Sequence, residues 1–368
     1  MRKNLLLLAV SLLLSWAGAE LVLALLLARE DGTLPLVKFR TEVAGVELWA
    51  YDGRFQGVAD LDLRGPVSYR ELTYFANEDF DPRLEGIDPA RVPNAIEVRF
   101  GPFAIRERDH RALAAGTELF LVIGDSFCFG QGVRERDRFA NQLEAKLAEG
   151  APAGAPGRAL LSVCYCGGDV DNAARALREF AENAGVRRIL YAYTLNDPIP
   201  DEKLAARQRY LNDFMHLRPR GRHGELPERV RRPTPLLEWL ARRSLERTLS
   251  AETIHWYHEL HEGAVWKHTA ETIRGMDAHA RERGIAFTLV ILPLFHGFDG
   301  YPFRDLHEKV AAFTRASGIE VVDVLEAFEG TDASGFWVHP KDFHPNDRAH
   351  ARIAEFLHER IPWDAGRP

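Results

Sequence analysis

The chain has 368 residues, with 47 Lys+Arg against 54 Asp+Glu and a formal net charge of −7. Hydrophobic residues at 46% and charged residues at 27% exclude a disordered chain. The acidic balance argues against a dedicated nucleic-acid binder, whose domain would be strongly basic. Three cysteines are too few for a disulfide framework.

The first element in chain order is an apolar run. Arg2 and Lys3 precede Leu5–Ala28, in which Glu20 is the single charge. At about 24 residues the run can span a hydrocarbon core of roughly 30 Å as a helix. Its leucines contribute roughly −4 to −7 kcal/mol, against about +3 for one central carboxylate, so insertion is favourable. Residues 1–28 therefore read as a transmembrane helix and signal anchor. Cleavage at Ala17-Gly18-Ala19 is the alternative, giving a secreted form. Both readings put the chain on the export route. The positive flank then places the main domain outside the cytoplasmic membrane, in the periplasm if the cell is Gram-negative.

Residues 29–117 read as a juxtamembrane region of short strands and loops. Stretches such as Val46-Glu47-Leu48-Trp49 alternate between punctuating Asp, Pro and Gly. From 118 to 368 the pattern changes. Five apolar runs follow, at Leu119–Ile123, Ala159–Val163, Arg188–Tyr193, Phe287–Leu292 and Ile319–Val322. Helical stretches lie between them, at Phe139–Ala148, Asn172–Asn183, Thr269–Arg283 and Leu306–Ala316. Short buried strands alternating with helices predict an α/β domain with a parallel sheet covered on both faces. A site in such a sheet lies at the carboxyl ends of the strands.

An insertion at about 198–268 interrupts the alternation and carries nine Arg against four Glu between Arg218 and Arg247. Leu236, Leu237, Leu240, Leu245 and Leu249 suit one face of a helix. Two readings stand open: a solvated helix packed on the domain, or a basic lid or membrane-facing surface.

Four segments follow strand ends. The first is Gly124-Asp125-Ser126-Phe127, which places a serine between a buried strand and a helix, where amides can hold an oxyanion. It is not a G-x-S-x-G elbow, because Cys128 stands at the second glycine position. The second, Cys166-Gly167-Gly168-Asp169, allows close approach of backbone amides. The third, Thr194-Leu195-Asn196-Asp197, brings a side-chain amide to the same edge. The fourth, Asp342-Phe343-His344-Pro345-Asn346, brings a base titrating near neutrality beside a carboxylate.

With these four blocks in order over about 118–362, the chain resembles the SGNH, or GDSL, hydrolase superfamily, in its membrane-anchored bacterial form. The resemblance implies a flavodoxin-like three-layer α/β/α sandwich with a five-stranded parallel sheet. It implies Ser126 as nucleophile, His344 as general base and then acid, and Asp342 as the orienting acid. The Ser126 and Gly168 amides and the Asn196 side chain would form the oxyanion hole, with Gly167 an alternative to Gly168. Two positions depart from the pattern. Lys341 stands where the family's acid usually lies, and Leu195 replaces the glycine before Asn196.

The expected substrate is an acyl ester, on a glycan or a lipid, and no nucleic acid is involved. Water as acceptor makes the chain an esterase, and a sugar hydroxyl makes it an O-acyltransferase. A non-catalytic envelope scaffold is the third reading. No cofactor or metal is expected. His255, His258, His261 and His268 punctuate one helix, but His258-Glu259-Leu260-His261 spaces its histidines i, i+3, not the i, i+4 of a zinc-binding helix. Cys128, Cys164 and Cys166 read as small buried residues, although export permits a bridge from Cys128 to Cys164 or Cys166. His296 and His339 read either as substrate contacts or as exposed loop residues.

Overall fold

The computed structural model describes residues 116–149, 156–182, 185–216, 235–339 and 342–364, together with 11, 15–19, 41–43, 46–51, 71–76, 95–99 and 106. The expected leader over 1–28 lies almost wholly outside these residues. Among the described residues no helix is long and apolar enough to cross a membrane.

Within 29–117 the alternating stretches form β1 (Thr41–Val43), β2 (Val46–Tyr51), β3 (Glu71–Ala76) and β4 (Ala95–Arg99). They pair in sequence order, antiparallel except for the parallel pair β3–β4.

The five apolar runs become β5 (Glu118–Gly124), β6 (Arg158–Cys164), β7 (Val186–Tyr193), β8 (Ala286–Ile291) and β9 (Glu320–Asp323). Every pairing between them is parallel, in the order β6-β5-β7-β8-β9. This is the doubly wound order 2-1-3-4-5, in which the chain reverses direction beside its first strand. β5 is buried along its whole length, as a strand covered on both faces must be. Between the strands run α1 (Ser126–Phe129), α2 (Phe139–Glu149), α3 (Val170–Phe180), α4 (Glu202–His216), α5 (Pro235–Leu260), α6 (Gly263–Glu282) and α7 (Arg304–Ala316). A hairpin of β10 (Trp337–His339) and β11 (Asp342–Pro345) precedes α8 (Asp347–Arg360).

The insertion supplies α4 and α5. Leu204, Leu211, Trp256, Leu260 and Val265 form a buried cluster of their own. Trp256 Nε1 donates to Leu204 O at 3.0 Å, and Arg207 pairs with Glu252 and Glu259, so α4 and α5 are tied by both apolar and ionic contacts. The side chains of Leu236, Leu237, Leu240, Leu245 and Leu249 lie outside the described residues. α6 begins at Gly263, six residues before the predicted start at Thr269, because Val265 already packs into the insertion's cluster.

Candidate active site

The nucleophile candidate follows the end of β5, which lies tightly against β7. A Cβ at Gly124 would come within 2.7 Å of Ala192 O on β7, so only glycine lets the strand end approach β7 this tightly. The chain then turns into α1. Asp125 caps that helix, accepting from the Phe127 amide at 2.9 Å. The cap leaves Ser126 as the first helical residue, with an amide that has no intrahelical acceptor. Beneath this segment the buried Arg106 donates to Phe129 O at 3.0 Å and Gly130 O at 2.6 Å. A residue of the leading region thus holds the turn that follows the serine.

Ser126 Oγ lies 2.9 Å from His344 Nε2, across 218 residues of sequence. His344 reaches that position from β11. Asn346, two residues on, caps α8 by accepting from Ala349 N at 3.0 Å. Its Nδ2 donates to Gly335 O at 3.2 Å and Trp337 O at 3.1 Å. One side chain therefore joins the hairpin, the preceding turn and the helix. Aromatic rings complete the support: Phe127 lies 5.2 Å from the His344 ring, and Trp337 packs on Phe343 at 4.6 Å.

Asn196 stands on the same rim, its Nδ2 donating to Asp125 Oδ2 at 3.2 Å. An amide nitrogen carries two protons, so one is fixed on Asp125 and the other remains for a ligand. Leu195, in place of the family's glycine, is fully buried in the core. Thr194 Oγ1 lies against both Asp125 and Asp197. Burial raises the pKa of both carboxyls, Asp197 more strongly because the charge of Asp125 adds to its burial.

Gly168 is brought to the site, but its amide donates to Tyr165 O at 3.0 Å within the turn after β6. A Cβ there would meet Tyr165 O at 3.0 Å and Gly124 O at 3.4 Å. In this structure Gly168 packs the second block onto the serine turn, and its amide is committed to that turn. Gly167 holds the turn's left-handed position, with φ at 72°. Asp342 heads β11 in register with His339. The side chains of Asp342 and His339, and Lys341, lie outside the described residues.

The other histidines disperse. His258 pairs with Asp305 at 2.9 Å, and His268 with Asp171 at 2.9 Å. His255 lies 3.8 Å from Glu259. His261 is buried between Tyr193 OH at 2.7 Å and Tyr257 O at 2.8 Å, and burial lowers its pKa to about 4. Among the described residues no group of His, Cys, Asp and Glu could hold a metal ion. His296 is exposed, with its ring 5.1 Å from Phe343. Cys128 on α1 is bridged to Cys164 at the end of β6, and Cys166 is exposed.

Two supports escaped the sequence reading. The position of Asn346 just before an acid-led helix was a visible cap signal. Thr194 gave no local sign, since its role depends on β5 and β7 lying side by side.

No family model matches the chain, and no curated protein matches it. Among solved structures it is similar to a putative lipolytic protein of the G-D-S-L family from Desulfitobacterium hafniense, at 11% identity. That overlap covers 66% of this chain and 99% of the other, with a TM-score of 0.38. It is similar to a G-D-S-L family member from Veillonella parvula at 13% identity, covering 66% and 98%, with a TM-score of 0.39. It is also similar to an acetylxylan esterase from Geobacillus stearothermophilus at 14% identity, covering 69% and 100%, with a TM-score of 0.41.

Proposed function

We propose that the chain is a serine ester hydrolase of the SGNH, or GDSL, superfamily. One observation carries the reading: Ser126 Oγ sits 2.9 Å from His344 Nε2 at the carboxyl edge of a parallel sheet. A serine hydroxyl is a weak nucleophile until a base takes its proton, and an imidazole at hydrogen-bond distance is such a base.

His344 accepts the Ser126 proton as Oγ attacks the acyl carbon. The carbonyl oxygen becomes an oxyanion facing the Ser126 amide and the second Nδ2 proton of Asn196. His344 then returns the proton to the departing alcohol, leaving an acyl-serine that water hydrolyses by the same steps. Asp342 is the proposed orienting acid, placed two residues before His344 in β11.

The Leu5–Ala28 run supports a membrane-anchored, extracytoplasmic enzyme. The Cys128–Cys164 bridge adds to this, since such bonds persist in oxidising compartments. The full chain should release p-nitrophenol from p-nitrophenyl acetate, and Ser126→Ala should lower kcat by roughly 10⁴-fold or more. Unchanged turnover in that variant would remove Ser126 from the mechanism.

A further inference from the structure

Behind the serine turn lies a row of buried polar groups that the mechanism above does not use. Thr194 Oγ1 lies 2.9 Å from Asp125 Oδ2 and 2.8 Å from Asp197 Oδ1. All three residues are at most 1% exposed. A threonine hydroxyl has one proton and can donate to only one of the two carboxyl oxygens. With both carboxyls ionised, the other contact would oppose lone pairs, and two negative charges would share a site closed to solvent. The second contact therefore needs a proton from a carboxyl group.

The partners decide which one. Asp125 accepts from Phe127 N at 2.9 Å and from Asn196 Nδ2 at 3.2 Å, and with Thr194 it has three donors, a set that suits an anion. Asp197 accepts from Tyr191 OH at 2.6 Å on Oδ2, which leaves Oδ1 for Thr194. The Thr194 amide also favours its anion, but burial and the charge of Asp125 outweigh these contacts and raise its pKa well above the ordinary carboxyl value.

We infer that Asp197 is a positioning residue held as a neutral acid: its Oδ1 proton goes to Thr194, whose own proton goes to Asp125, which in turn fixes the Asn196 amide. The other groups around the chain do not replace that proton. Tyr193 lies edge-on to Tyr191 and places its hydroxyl on His261. His344 acts on Asp125 only through its charge, and burial, with the charge of Asp125 adding to it, raises the pKa of the Tyr257 hydroxyl. Among the described residues no lysine or arginine is paired with either carboxyl. The proton would thus orient the oxyanion donor without touching substrate. That catalytic role rests on the esterase reading, whereas the protonation state does not.

Two measurements on the full chain test the protonation alone. The infrared difference spectrum between wild type and Asp197→Asn at neutral pH should contain the carbonyl stretch of a protonated carboxylic acid. Between about pH 5 and 7 the wild-type fold retains a proton that the unfolded chain has released. The wild-type unfolding constant should therefore rise relative to Asp197→Asn by up to about tenfold per pH unit. An absent band together with parallel pH slopes would overturn the inference.

The positioning role is read on p-nitrophenyl acetate. Asp197→Ala should lose kcat, and Asp197→Asn should recover at least about tenfold of that loss with KM unchanged, since its amide donates to Thr194 and accepts from Tyr191. Equal losses in the two variants would overturn that role. A wild-type chain that hydrolyses no ester overturns the esterase reading, and the infrared and pH measurements still decide the protonation.

Discussion

The two halves of the rim are built on different principles. On the Ser126 side, Asp125, Thr194 and Asp197 hold one another through hydrogen bonds with 1% exposure or less. On the His344 side, Phe127, Phe343 and Trp337 pack as rings, and Asn346 alone joins turn, hairpin and helix. Polar atoms in a closed space are intolerant of change, because a group left unpaired keeps its full desolvation penalty. Ring packing tolerates small shifts, which would suit the base role proposed for His344.

The largest effect is expected from Asn196→Ala. Removing the proposed oxyanion donor should lower kcat by roughly 10²–10³-fold with little change in KM. A rise in KM alone would place Asn196 in binding, outside transition-state stabilisation. The Cys128–Cys164 bridge ties the serine helix to β6 over a sequence separation of 36. Chain-entropy reasoning gives such a loop about 4 kcal/mol, so Cys128→Ser with Cys164→Ser should lower stability by roughly 2–4 kcal/mol in urea unfolding. On the other half, Asn346→Ala should cost about 1–2 kcal/mol through the lost cap. It should also lower kcat more than Asn346→Asp, which keeps the cap acceptor.

Acidity distinguishes the halves as well. His350, on α8, accepts from Phe139 N at 3.1 Å, and burial lowers its pKa to about 3, with Arg138 and Arg106 adding to the effect. The unfolded chain takes up a proton near pH 6.5 that the fold refuses until about 3. Stability is therefore lost as pH falls through that window, by up to about 1.4 kcal/mol per unit. The raised carboxyls of the Ser126 half act in reverse, losing stability as pH rises above about 4. His350→Gln should flatten the acid limb of a plot of unfolding midpoint against pH, and an unchanged limb would contradict the assignment.

Much of this was legible in the sequence. All five strands of the main sheet fall within two residues of the apolar runs, because strands buried on both faces are predominantly apolar. Ser126 and Asn196 follow strand ends of the parallel sheet, and the β10–β11 hairpin brings His344 to the same rim. The partner of the Gly168 amide was not legible, since it depends on how the turn after β6 closes. Nor was the choice of Cys164 as the partner of Cys128, since Cys166 lies only two residues away. The sharing of one threonine by two carboxyls follows only from the β5–β7 register.

If Ser126 is a nucleophile activated by His344, a serine-reactive electrophile will modify it selectively. Treating the full chain with a fluorophosphonate probe and mapping the adduct by mass spectrometry tests this directly. The expected result is one label on Ser126, absent from Ser126→Ala and strongly slowed in His344→Ala. Labelling elsewhere, or at an equal rate in His344→Ala, would contradict it.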